Sequence, residues 1–206
     1  LLRVNKQQLA EAGVGVATPP ELETWMRDFR WYQRLPAWAR WTLSHRLQQA
    51  APNTECWLFS EENFAGHLDE VLNQAVLFKG LPTRLAAMQK LFPEAEITLF
   101  FAVRSYESFL LSNYLELLRA RGYFPWEQFY DQRRMAGYSW LELFDRVTRA
   151  IPSGSIVLWR YEDFREVQNK ILARLTGIND TDALLARYQN ETTRPSLSAR
   201  AAEHLR

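Results

Sequence analysis

The chain has 206 residues, 47% of them hydrophobic and 14% aromatic, enough to bury one sizeable core and most simply read as a single domain over 1–206. Twenty-five Lys and Arg stand against 24 Asp and Glu, so a net charge of +1 excludes a whole-protein field for nucleic acid, and any anion site must be local. One cysteine, Cys56, excludes an internal disulfide and is expected as a buried thiol, and three scattered histidines form no zinc cluster. No stretch approaches the roughly 20 apolar residues of a membrane span, and the opening residues do not read as a signal peptide. A soluble, reducing, cytoplasmic setting is the expectation.

Good helix formers from Leu2 to Ala12 and then Gly13 predict a helix with its stop, followed by a short strand over Val14 to Ala17. Pro19 and Pro20 open an irregular stretch, and helical spacing resumes from Glu21 to Gln33, with Trp25, Phe29 and Tyr32 available for one face. Pro36 interrupts it. A helix over Ala37 to Ala50 carries Trp38, Trp41 and Leu47, and Pro52-Asn53 turns the chain into a strand over Cys56 to Ser60. Helices are predicted near Asn63 to Gln74 and Thr83 to Phe92.

Seven apolar or β-branched residues from Ile97 to Val103 read as a fully buried parallel strand. Ser105 and Ser108 offer a side-chain cap for the helix that follows, which continues through Tyr114 to Arg121. A further helix over Ser139 to Ala150 presents Leu141, Phe144 and Val147 on one face. Pro152 to Ser155 is a turn, Ile156 to Trp159 the last strand, and Phe164 to Leu175 the helix after it, with Asp163 placed to cap it. Strands spaced by helical segments predict an α/β fold, a three-layer sandwich around a mainly parallel sheet.

In such sheets ligands collect at the carboxyl edge, where Arg104 ends its strand and can grip a phosphate in a bidentate fork. Ser112, one to two turns into the next helix, adds a hydroxyl donor. The competing reading is that Arg104 pairs with a carboxylate at the sheet edge. Ser60-Glu61-Glu62 places two carboxylates directly after the strand from Cys56, where one can act as a base, with Glu61 preferred. A helix start, capped by Ser60 and with acids at the positive end of its dipole, explains the same residues equally well. His67 is the backup base, and His45 and His204 are weaker.

An arginine at a strand's end followed eight positions later by a serine, together with the later Tyr161-Glu162-Asp163 after a strand, resembles sulfotransferases that use 3′-phosphoadenosine 5′-phosphosulfate. The resemblance covers about three quarters of the chain. It implies a P-loop-NTPase-like sulfotransferase fold, with Arg104 and Ser112 on the donor's 3′-phosphate and Tyr161 near the adenine. It also implies Arg194 and Ser196 in a loop covering the donor, although a simple exposed helix cap suits that segment as well. Glu61 would deprotonate a hydroxyl acceptor, a carbohydrate or glycolipid, and no metal is implied. The family's N-terminal strand and its loop for the 5′-phosphosulfate have no counterpart here, and both are expected upstream of Leu1.

Four tryptophans between Trp25 and Trp41 lie beside Arg27, Arg30, Arg34 and Arg40, and suit core or subunit packing, an acceptor cleft, or peripheral membrane contact. Oligomeric state is not readable from the chain. Two alternatives stand beside a sulfotransferase. One is a nucleotide kinase-like phosphotransferase, which needs magnesium; the other is a noncatalytic interaction module that uses the Trp-rich segment 25–41.

Overall fold

The computed structural model describes residues 2–18, 21–22, 36–52, 54–66, 75–123, 125–130 and 137–188. In chain order the elements are α1 (Lys6–Glu11), β1 (Val14–Ala17), α2 (Pro36–Ala50), β2 (Cys56–Phe59), α3 (Leu81–Leu91), β3 (Thr98–Val103), α4 (Tyr106–Arg121) and α5 (Trp126–Phe129). They continue with α6 (Trp140–Ala150), β4 (Ser155–Arg160), α7 (Phe164–Thr176) and α8 (Asp182–Tyr188). Single 3-10 turns follow β2 at Glu62–Phe64 and β4 at Tyr161–Asp163. The protein is therefore mixed α/β with parallel strand pairs. The predicted helices at Glu21 to Gln33 beyond Leu22 and at Asn63 to Gln74 beyond Gly66 lie outside the described residues, as do His67 and His204.

Two compact units divide the chain, each built on one two-stranded parallel sheet. The first holds β1 and β2, paired from Val14 with Cys56 to Ala17 with Phe59. Its core joins Leu9, Val14, Val16, Leu58 and Leu184, with Leu2, Leu175 and Ile178 packed against it. Gly13 takes a left-handed φ of +79°, which stops α1 and turns the chain directly into β1. Gly15 faces the Trp57 ring across the sheet so closely that a Cβ there would sit 2.7 Å from ring atoms, which only glycine avoids. Asn5 is fully buried and donates from Nδ2 to the Leu184 carbonyl at 2.9 Å, a bond that ties the first turn of the chain to α8.

Thr18 and Glu21 form the carboxylate-to-amide half of a capping box. The Thr18 amide and hydroxyl donate to Glu21 Oε2 at 2.8 and 3.0 Å, while the Leu22 amide returns to the Thr18 carbonyl at 2.9 Å. Lys6 pairs with the other carboxylate oxygen. Burial alone would raise the Glu21 pKa, but the hydrogen bonds from Lys6 and Thr18 and the Lys6 charge hold it below the ordinary value.

In the second unit β3 and β4 run in parallel register from Thr98 with Ser155 to Val103 with Arg160. α4 begins at Ser105, whose hydroxyl accepts from the Ser108 amide at 3.2 Å, as expected. Glu107 in its first turn and Arg119 and Arg121 in its last suit the helix dipole. Likewise α6 is capped by Ser139, which accepts from the Glu142 amide at 3.2 Å.

Three expectations need correction. β3 is half-buried rather than fully buried, because it has one strand neighbour, β4, among the described residues. Cys56 is exposed, because it opens β2 at the strand's free end; partial desolvation still raises its thiol pKa. On α6 the buried positions are Leu143 and Val147, one turn apart, whereas Leu141 is 85% exposed. The true apolar stripe runs i, i+4 and continues to the buried Ile151.

Truncation of the fully buried Leu9 to alanine opens a cavity in the first unit's core and should cost about 2–5 kcal/mol in urea unfolding. Glu21 contributes stability that is fully present above the ordinary glutamate value of 4.5 and is lost as pH falls through its lower folded value. The stability difference between wild type and Glu21→Gln should therefore shrink on acidification below pH 4.5, and a difference constant with pH would contradict that assignment.

Candidate functional site

The carboxyl ends of β3 and β4 bring the two predicted motifs together. The register ends with Val103 paired to Arg160, so Arg104 and Tyr161 are the first residues past their strands, and Ser105 and Glu162 the next after those. The Arg104 guanidinium carbon lies 3.5 Å from the Tyr161 ring centroid, a cation–π contact on a half-exposed tyrosine. Among the described residues no carboxylate pairs with Arg104, so the competing expectation of an edge ion pair is not met there. A guanidinium that rests on a ring through its π face keeps its in-plane N–H donors for an oxyanion.

The adjoining pair forms a second link. Glu162 Oε1 accepts from the Ser105 amide and from the Ser108 hydroxyl, both at 3.2 Å. The carboxylate is exposed, yet its pKa is lowered, first by its own backbone N–H and the Ser105 N–H, then by Ser108 and the charge of Arg160. It thus occupies the positive end of α4. Asp163 stands at the N-cap of α7 as expected, but its side chain makes no capping hydrogen bond.

Ser112 lies on α4, four residues beyond Ser108 and seven beyond Ser105, hence on the same helix face, and is exposed. Arg104, Ser112 and Tyr161 belong to one unit; Arg104 and Tyr161 meet at the end of its strand pair, and Ser112 lies within α4. Glu61 is half-buried and lies directly after β2, in the other unit. Arg194 and Ser196 lie outside the described residues. Among the described residues no cluster of His, Cys, Asp and Glu could hold a metal, and no helix is long and apolar enough to cross a membrane.

Trp140 is the residue that sequence reasoning missed. Its indole N–H donates to the Arg104 carbonyl at 3.0 Å, and its backbone N–H to the Tyr106 hydroxyl at 3.0 Å. Its ring meets Phe78, Phe101, Tyr106, Phe109 and Phe144 with centroids 5.3 to 6.5 Å apart. Phe78 joins the cluster from a strained backbone, with φ at +46° in the left-handed region. The available signal was a tryptophan directly after a capping serine, one turn ahead of Phe144, but its partners come from three other segments.

Trp140→Phe keeps most ring contacts and loses the bond to Arg104, so unfolding should register a loss of about 1–3 kcal/mol. Trp140→Ala should cost about 3–5 kcal/mol. Equal stabilities for the two variants would show that the indole N–H, and not the ring, carries the contribution. Comparisons of the chain with protein-family models, curated proteins and solved structures found no match.

Proposed function

We propose that the protein is a sulfotransferase that moves a sulfuryl group from 3′-phosphoadenosine 5′-phosphosulfate to a hydroxyl acceptor, a carbohydrate or glycolipid, in a cytoplasmic setting. The single observation that carries this reading is Arg104 seated on Tyr161 at the carboxyl ends of adjacent parallel strands, with no described carboxylate neutralising it. The residues present suit the donor's nucleotide. Arg104 offers bidentate N–H donors and Ser112 a hydroxyl for the 3′-phosphate, and Tyr161 offers its aromatic body and phenol to the adenine.

The fold that goes with this reading is a three-layer sandwich of the P-loop-NTPase-like sulfotransferase kind. The bound donor supplies the electrophilic sulfur. Glu61 would accept the acceptor's proton as the hydroxyl oxygen forms its bond to sulfur and the sulfur–oxygen bond to the 5′-phosphate breaks, leaving a sulfate ester and adenosine 3′,5′-bisphosphate. Arg194 and Ser196 would cover the nucleotide. None of these steps needs a metal, which separates the reading from a magnesium-dependent kinase-like phosphotransferase.

A noncatalytic interaction module is the second reading, favoured by Trp38 and Trp41, 54% and 66% exposed on α2. Trp41 stacks on His45 with centroids 5.5 Å apart, and α2 carries no acidic residue.

Calorimetric titration of adenosine 3′,5′-bisphosphate without magnesium, at fixed salt, separates the two. The full-length protein should bind, and Arg104→Ala should lose about 1.5–3 kcal/mol, the contribution of a charged hydrogen bond. Binding by neither protein would favour the interaction module, and equal binding by both would remove Arg104 from the site.

A further inference from the structure

Glu162 is the one carboxylate that the site's own geometry accounts for without chemistry. Its Oε1 is engaged by the Ser105 amide and the Ser108 hydroxyl. Those donors stand at the first turn of α4, one residue past Arg104, and Glu162 itself stands one residue past Tyr161. One carboxylate oxygen therefore bridges the turn after β4 to the helix after β3, directly beside the Arg104–Tyr161 contact.

We propose that Glu162 is a positioning residue for the donor nucleotide. It docks the Tyr161–Asp163 turn onto the start of α4, and so holds Tyr161 beneath Arg104. The same bond fills the positive end of α4 with an internal anion. An incoming phosphate then finds that end occupied and is directed to Arg104 and Ser112 instead. Neither strand could do this alone, because the parallel ladder ends at Val103 and Arg160 and the two chains diverge into separate helices. A cation–π contact at an exposed site is too weak to hold the turn unaided.

This inference rests on the nucleotide-binding reading, and its test is built to tell the two apart. Adenosine 3′,5′-bisphosphate is titrated into wild type, Glu162→Ala, Glu162→Gln, Arg104→Ala and the Arg104→Ala/Glu162→Ala double variant. Glu162→Ala should weaken binding about tenfold or more, and Glu162→Gln should stay within about threefold of wild type, because the amide oxygen still accepts from both donors. If Glu162 acts through Arg104, its removal in the Arg104→Ala background should cost less than about twofold further. Wild-type affinity in Glu162→Ala, or an equal loss in both backgrounds, would overturn the proposal.

The Arg104 side chain provides a readout that needs no ligand. In protein labelled with carbon-13 arginine, the Arg104 δ-methylene resonance should show a ring-current shift from Tyr161. That shift should vanish in Glu162→Ala and persist in Glu162→Gln. Should wild type fail to bind the nucleotide, the functional reading falls, while this shift still decides whether Glu162 positions Arg104. Persistence of the shift in Glu162→Ala refutes the positioning role.

Discussion

The hydrogen bond from the Trp140 indole to the Arg104 carbonyl, set within a cluster of aromatic rings, is the constraint on which the candidate site depends. A strand that ends in an arginine leaves that residue's carbonyl without a ladder partner. Trp140 supplies one, and its ring meets Phe101 from β3 and Phe109 from α4 in the same arrangement. Backbone and side chain are thereby fixed separately: Trp140 holds the Arg104 main chain, and Tyr161 receives the guanidinium. Pre-organisation of this kind lowers the ordering cost of binding an anion.

Parallel register then carries the geometry outward. The ladder ends with Val103 against Arg160, and directly past it Arg104 rests on Tyr161 while the Ser105 amide meets Glu162. The first contact leaves cationic donors available. The second engages the Ser105 amide and the Ser108 hydroxyl at the start of α4. A local anion site can therefore exist in a chain whose net charge is only +1.

Much of this was legible in the residues. Gly13 as a stop, Ser105 as a cap, and the four strands of the described residues follow from local signals of turn chemistry and apolar runs. The same signals fail where long-range partners decide. Ile97 to Val103 looks like a strand buried on both faces, yet burial depends on neighbours that periodicity cannot count. Val147 is buried as its stripe predicts, but the unit's core takes Leu143 beside it and leaves Leu141 exposed. Cys56 is apolar by type and exposed by position. In the candidate site, Arg104 and Tyr161 were identified from motif spacing, whereas Trp140 and the Glu162 bridge were not, since both act on residues 34 to 57 positions away.

The role given to Arg104 is tested most directly by comparing adenosine 3′,5′-bisphosphate with adenosine 5′-phosphate, which lacks only the 3′-phosphate, in wild type and Arg104→Ala. An arginine-held 3′-phosphate requires wild type to prefer the bisphosphate by about tenfold or more, and requires Arg104→Ala to lose that preference. Equal affinity of wild type for the two nucleotides, or a preference that survives the substitution, would contradict a 3′-phosphate site at Arg104.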